Sequence, residues 1–345
     1  MRGLIFDAPG EIRYADDLVE PAILEPTDAI IAVASAGMCG SDLHPYQGRE
    51  KCAAGVIPGH EAVGVVVEIG ARVNKVVVGE RVIVPFTVSC GHCERCTRGL
   101  SSRCWSSELF GWGDPSGRTR PLHGAQAERL RVPLADSTLV QAPMVDDGTA
   151  LLLTDNFPTA WHAVTRTDWT DGPMAVIGLG AVGLCAVAAA LTRGVPEIVA
   201  IDPLESRRVA AVSLGMRVRT ATPEEAPSLG RFSTVVEAAG PKTAQAMAVS
   251  IADIGATISI IAVQTAEQFG LEPVAAYDKN LTIRAGRAPV RSVLDEILPG
   301  VADGSISVPT STVITHPERP LSEGPDLYRA FAARDNGIIK ATFRP

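Results

Sequence analysis

The chain has 345 residues, 46% of them hydrophobic and 20% charged, which is long enough for two domains with cores of their own and ordinary for a soluble globular protein. Its formal net charge is −8 and no basic patch stands out, so nucleic acid and anionic membrane surfaces are set aside as partners. Small molecules are the expected ligands.

The N-terminal stretch MRGLIFDAPGEIRYADD carries acids from Asp7 onward and lacks the apolar core and cleavage site of a signal peptide, so the chain is expected to stay in the cytoplasm. Two short segments follow, Cys39-Gly40-Ser41-Asp42-Leu43-His44 and Gly59-His60-Glu61, each with a good metal donor but neither a local metal motif. Taken singly, the cysteine reads as a small buried hydrophobe and the histidine as a satisfied surface or core group. The next feature is more specific. Cys90, Cys93, Cys96 and Cys104 are four of the chain's seven cysteines, spaced C-x2-C-x2-C-x7-C. Two-residue spacers let tight turns aim successive thiolates at one tetrahedral zinc ion, at about 2.3 Å each. In a reducing compartment clustered cysteines bind metal more often than they pair as disulfides. With four protein ligands the site has no open position and is expected to be structural.

From residue 173 short apolar runs alternate with helical patterns. Strands are expected at 174–178, 197–201, 216–220, 233–237, 257–261 and 280–284, and helices at 181–193, 204–214 and 242–251, which implies a parallel sheet covered on both faces. The apolar stretch 175–191 is too short and too rich in glycine for a membrane span. The first strand runs into Gly178-Leu179-Gly180-Ala181-Val182-Gly183, and Asp202 lies nineteen positions beyond Gly183 at the end of the second strand. A G-x-G-x-x-G alone is weak evidence. Between a strand and a helix, with an acid at that distance, it is a dinucleotide-binding fingerprint. Gly178 makes the turn, Gly180 admits the pyrophosphate, Gly183 allows close packing, and the amides of the helix start at Ala181 and Val182 face the phosphates. Asp202 would accept hydrogen bonds from the adenine ribose and repel a 2′-phosphate, favouring NAD over NADP; a helix N-cap is its alternative role. Arg207 and Arg208 weigh the other way.

CGSDLH, PGHEAVGVVVEIG, the four-cysteine run and VIGLGAVG stand in an order and spacing that resembles the zinc-dependent medium-chain alcohol dehydrogenases over nearly the whole chain. The resemblance implies an α/β protein in which a Rossmann domain interrupts a GroES-like β-barrel catalytic domain, with boundaries at 1–156, 157–287 and 288–345. It implies a catalytic zinc held by Cys39, His60 and a third residue. Well-known members use a cysteine there; this chain has none between Cys104 and Cys185, and Asp155 in LLLTDNFPTAWHAV resembles the branch with an aspartate. Glu61 adjoins the site and is expected to bind the ion transiently. Asp42 is expected to orient His60, Ser41 to hydrogen-bond the substrate oxygen, His44 to pass its proton to solvent by way of the cofactor ribose, and Lys340 to meet the cofactor pyrophosphate.

Two zinc ions per chain, NAD, and an alcohol or carbonyl substrate follow, with reversible oxidation of an alcohol to an aldehyde or ketone as the reaction. The substrate wall is expected at Leu109–Trp112, Phe157 and Trp161. Relatives pair through an edge strand, which places a homodimer or homotetramer contact at 257–261. An NADPH-dependent reductase of aldehydes or conjugated carbonyls, and a non-catalytic binding relative, are the alternatives. His92 sits inside the four-cysteine run, whose ligands are already complete, His123, His162 and His316 match no ligand position, and Cys52 and Cys185 are expected to be bystanders.

Overall fold

The computed structural model describes residues 1–113, 121–142, 144–167, 172–334 and 337–345. It divides into two compact units, the first made of Met1–Asp155, Pro289–Ala302 and Ile314–Pro345, the second of Asn156–Ala288 and Asp303–Val313. Among the described residues no helix is long and apolar enough to cross a membrane.

The first unit is built on a seven-stranded sheet centred on Ala29–Met38. This strand is the hub because its apolar side chains are buried on both faces. Three strands pair with it antiparallel: Ala62–Ile69 along its length, Arg129–Val132 at its start, and Ala341–Arg344 at its end. Arg81–Val84 and Val140–Gln141 extend the sheet beyond Ala62–Ile69, and His316–Pro320 lies parallel to Ala341–Arg344. Ile31, Met38, Val66, Val82, Leu130 and Phe343 belong to its fully or nearly fully buried core. The C-terminal strand is thus stitched beside the N-terminal ones, which carries Lys340 to the end of the central strand.

The second unit holds a six-stranded parallel sheet in the order Val218–Ala221, Ile198–Ile201, Met174–Ile177, Phe232–Glu237, Ala252–Ile260, Thr282–Ala285. The order reverses between Met174–Ile177 and Phe232–Glu237, and in open α/β sheets ligands bind at such a switch point. The strands and the helices Ala181–Thr192, Glu205–Val212 and Lys242–Ile251 fall close to the expected positions. The alternation of unbroken apolar runs with amphipathic stretches was strong enough to fix them. One expectation is corrected. Residues 257–261 do not form a sheet edge, because Ala252–Ile260 is flanked by neighbours on both sides and the edge strand is Thr282–Ala285. The buried run 256–260 reflects an interior strand, not a covered edge.

Candidate metal centre and cofactor cradle

The candidate metal ligands are brought together by strand register. Cys39 follows the last residue of the central strand. Ala62 pairs with Ala36, so His60 and Glu61 run beside residues 37–39, and the Gly37 amide donates to the Glu61 carbonyl at 3.1 Å. Ala341 pairs with Met38 on the other side and delivers Lys340. Asp155 comes from the turn after the helix Asp147–Leu152, whose start is capped by the Asp146 carboxylate accepting from the Thr149 amide at 2.9 Å.

The four donor groups of Cys39, His60, Glu61 and Asp155 lie within 4.8 Å of one another, and the residues are buried. Cys39 Sγ is 3.5 Å from Asp155 Oδ2, and His60 Nε2 is 3.6 Å from the same oxygen. Asp42 holds two of the pieces in place: Oδ2 accepts from the Cys39 amide at 2.8 Å, and Oδ1 lies 3.0 Å from His60 Nδ1. A proton on Nδ1 leaves the Nε2 lone pair facing the other donors, the orientation a metal-ligating histidine needs. Burial, reinforced by the Asp155 and Glu61 charges, pushes the Cys39 thiol up. Burial opposes charging of His60, yet Asp42, Asp155 and Cys39 outweigh it and hold its pKa well above the ordinary value. A divalent cation would replace the protons that this crowd of donors otherwise retains. Sulfur, imidazole and carboxylate together suit zinc, and with only one of the two carboxylates as a ligand one position stays open.

Ser41 Oγ lies 3.3 Å from His60 Nε2, and the His60 ring is packed by Trp112 at 5.5 Å and Phe86 at 6.2 Å between centroids. His44 Nδ1 is buried and has no hydrogen-bond partner among the described residues. Burial, helped by Arg49, lowers the His44 pKa to about 4, so the ring is neutral at pH 7.

The four clustered cysteines form a second donor set, again with their sulfurs within 4.8 Å of one another. Backbone amides point inward at the sulfurs: Cys90 N and Ser106 N donate to Cys104 Sγ at 3.2 and 3.3 Å, and Cys93 N to Cys90 Sγ at 3.3 Å. Such bonds favour thiolates, and the Trp105 amide foremost holds the Cys93 thiol down to about 6. All seven cysteines are free of disulfides.

In the second unit Gly178 has φ +87°, and a Cβ there would meet Ala239 atoms at 2.7–2.8 Å. A Cβ on Gly183 would run into the Gly178 carbonyl, whereas Gly180 has open space around it. The turn therefore packs tightly on its protein side and is open at Gly180, where a pyrophosphate would approach if one binds. Asp202 is buried, its carboxylate accepting from the Leu179 amide at 2.8 Å and the Leu204 amide at 2.9 Å. It supports the glycine turn and the start of the next helix at once. Arg207 lies 3.7 Å from the same carboxylate, and Arg208 donates to the Asp202 and Pro203 carbonyls.

Residues 25–144 match the family model of the alcohol dehydrogenase GroES-like domain. A probable zinc-binding alcohol dehydrogenase of Mycobacterium tuberculosis is 34% identical over 357 residues, spanning all of this chain and 89% of that protein. The chain belongs to the zinc-type alcohol dehydrogenase family. A zinc-type alcohol dehydrogenase of Aspergillus flavus is 36% identical over 86% of this chain and 72% of its own. The solved alcohol dehydrogenase of Thermus sp. ATN1 superposes with a TM-score of 0.90 at 30% identity, covering 100% of this chain and 99% of that one. The resemblance carried by the four motifs is borne out, and the chain is an oxidoreductase of this family.

Within this zinc-type dehydrogenase, Lys340 has a partner that the sequence did not suggest. Its ammonium is fully buried and pairs with the Glu61 carboxylate, because the register of Ala341 on Met38 carries it to the donor cluster. Of the expected substrate wall, Leu109–Trp112 belong to the first unit, with Trp112 against His60; Phe157 and Trp161 are buried in the second, 6.1 Å apart. Sequence reading missed Glu237. Fully buried at the end of its strand, it accepts from the Ala239 and Gly240 amides at 2.8 and 2.6 Å and so shapes the loop on which Gly178 rests. An acid closing the run STVVE was the available signal. Gln126 and Tyr328, which join the two metal-ligand segments, had none.

Proposed function

We propose that the chain is an NAD-dependent dehydrogenase interconverting an alcohol and an aldehyde or ketone, with a catalytic zinc on Cys39, His60 and Asp155 and a structural zinc on Cys90, Cys93, Cys96 and Cys104. The convergence of Cys39 Sγ, His60 Nε2 and Asp155 Oδ2, from three distant parts of the chain, carries the reading. Glu61 is the competing carboxylate, but Lys340 already neutralises it. When bound, zinc supplies the Lewis acidity that ionises a hydroxyl near neutral pH, and the nicotinamide supplies the hydride acceptor.

The chain's own residues do the rest. Asp42 fixes the His60 tautomer. Ser41, beside His60, is placed to take a hydrogen bond from the substrate hydroxyl, and neutral His44 has an unused ring nitrogen with which to carry the proton onward. Phe86 and Trp112 screen the donors from water. The carboxylate of Asp202, held beside the glycine turn, supports NAD over NADP, since an acid at this position of the fingerprint disfavours a 2′-phosphate. Arg207 beside it keeps NADPH-dependent carbonyl reduction as the second reading. For assembly, the edge strand Thr282–Ala285, with Ile283 partly exposed and Tyr277 and Val274 exposed nearby, supports a homodimer through that edge; light scattering reading a single 36.2 kDa chain would reject it.

The test is a screen of primary, secondary, aromatic and polyol alcohols with NAD and NADP, read beside zinc content. Two zinc ions per chain and faster turnover with NAD are expected. Zinc without turnover on any alcohol would turn the reading to a binding protein, and NADP preference to the reductase. Ser41→Ala is expected to keep both zinc ions and lower kcat about 10²–10⁴-fold, the usual contribution of a positioned proton-transfer group. Near-normal turnover would remove Ser41 from the relay.

A further inference from the structure

Gln126 lies outside every motif that identified the chain, yet it is a fully buried amide at the metal centre's foundation. Its backbone runs beside the turn that precedes His60: Ala125 N donates to the Gly59 carbonyl at 2.9 Å and Gln126 N to the Pro58 carbonyl at 3.0 Å. Gly59 has φ +90°, and a Cβ there would come within 2.6 Å of Gln126 Cγ, so the side chain occupies the space that the glycine leaves. The amide then crosses to the other ligand segment. Nε2 donates to the Gly37 carbonyl at 3.0 Å, two residues before Cys39. Oε1 accepts from the Tyr328 hydroxyl at 2.9 Å. Tyr328 is 1% exposed, and since its hydroxyl faces an amide oxygen and Gly37 offers only an acceptor, the Gln126 amide has one satisfied orientation.

We propose that Gln126, oriented by Tyr328, is a positioning residue that fixes the separation of the Cys39 and His60 segments and thereby sets how tightly the catalytic zinc is held. The inference rests on the reading of Cys39 and His60 as zinc ligands. Gln126 touches neither ligand side chain. It acts through the backbone, gripping one segment at Gly37 and packing into the other at Gly59. Ligand atoms must be held to about 0.5 Å for a metal site to keep its geometry. Cys39 lies one residue past the end of its strand and His60 in the coil that precedes its own, so strand pairing alone leaves both to be braced from below. Outer partners of metal ligands typically contribute 10–100-fold in metal affinity.

Gln126→Leu retains most of the volume and removes both hydrogen bonds; Tyr328→Phe removes only the one that orients the amide. The zinc-loaded protein is challenged with excess chelator, and zinc remaining per chain is followed by elemental analysis, with the thermal midpoint and turnover measured alongside. Gln126→Leu is expected to release one of its two zinc ions about 10–100-fold faster than the wild type while the other leaves at the wild-type rate. Tyr328→Phe shifts the same release by a smaller factor, and added zinc restores turnover in both. Wild-type release from Gln126→Leu, or a lowered midpoint with both zinc ions retained equally, overturns the proposal and leaves the residue as core packing. If Gln126→Leu does not fold, unchanged release from Tyr328→Phe overturns it. A wild-type chain holding one zinc, lost on Cys104→Ser, overturns the zinc-ligand reading and the proposal with it.

Discussion

Asp155→Ala is expected to yield a folded chain with a single retained zinc and alcohol oxidation lowered by about 10³-fold or more. The magnitude follows from what two remaining ligands can do. A metal ion stabilises developing charge by several kcal/mol, and each 1.36 kcal/mol is about a factor of ten in rate, so losing the ion from most molecules forfeits on the order of three decades. Asp155 Oδ2 is the atom near both Cys39 Sγ and His60 Nε2, at 3.5 and 3.6 Å, so its removal opens the cup from one side. Asp155→Cys keeps an anionic zinc ligand there and is expected to retain the second zinc and a larger share of activity. Metal analysis and steady-state kinetics on the two variants decide the matter. Full zinc content and turnover in Asp155→Ala would mean that Glu61, which lies in the same cluster, serves as the third ligand.

That ambiguity shows where sequence reading ends. The glycine turn, Asp202 and the four-cysteine run were legible because their chemistry is local: a few residues fix the turn, the spacing or the helix start. The alternation of strands and helices around them was legible for the same reason. Cys39, His60 and Asp155 have no local signature. They converge because Ala62 pairs with Ala36 and because a short helix ends at the right place, and a register is invisible in a linear string without a resemblance to supply it. Lys340 shows the same limit, since only its register on Met38 reveals the pairing with Glu61. Residues 257–261 misled because an interior strand and a covered edge are equally apolar. Gln126 could not be read at all. A buried glutamine carries the same letter as an exposed one, and only the fold shows that it spans two ligand segments.

Lys340→Met is expected to lower the thermal midpoint of the zinc-free protein by roughly 6–20 °C. Lys340 and Glu61 are both fully buried, and removing one partner of a buried pair leaves an uncompensated charge that costs about 3–5 kcal/mol, or about 2–4 °C per kcal/mol in a unit of this size. Burial already pushes the Glu61 carboxyl up, with Lys340 the largest influence pulling it down. Without Lys340 the carboxyl either takes up a proton or turns to another source of positive charge within reach, which in the zinc-loaded protein includes the metal. The zinc-loaded variant is therefore expected to lose less of its midpoint than the zinc-free one, while Glu61 competes with substrate for the open coordination position and lowers kcat/KM. Gly37 makes that competition close-range, since a Cβ on it would overlap the Glu61 carboxylate and only a glycine leaves the side chain room to move. Adding Glu61→Gln to Lys340→Met removes the stranded charge and is expected to restore most of the midpoint, as replacing both members of a buried pair usually does. Calorimetry on the single and double variants, each with and without zinc, provides the readings. Equal losses in the two metal states would show that Lys340 supports packing alone, whereas a zinc-dependent difference abolished by Glu61→Gln identifies it as the residue that keeps a fourth protein donor away from the catalytic ion.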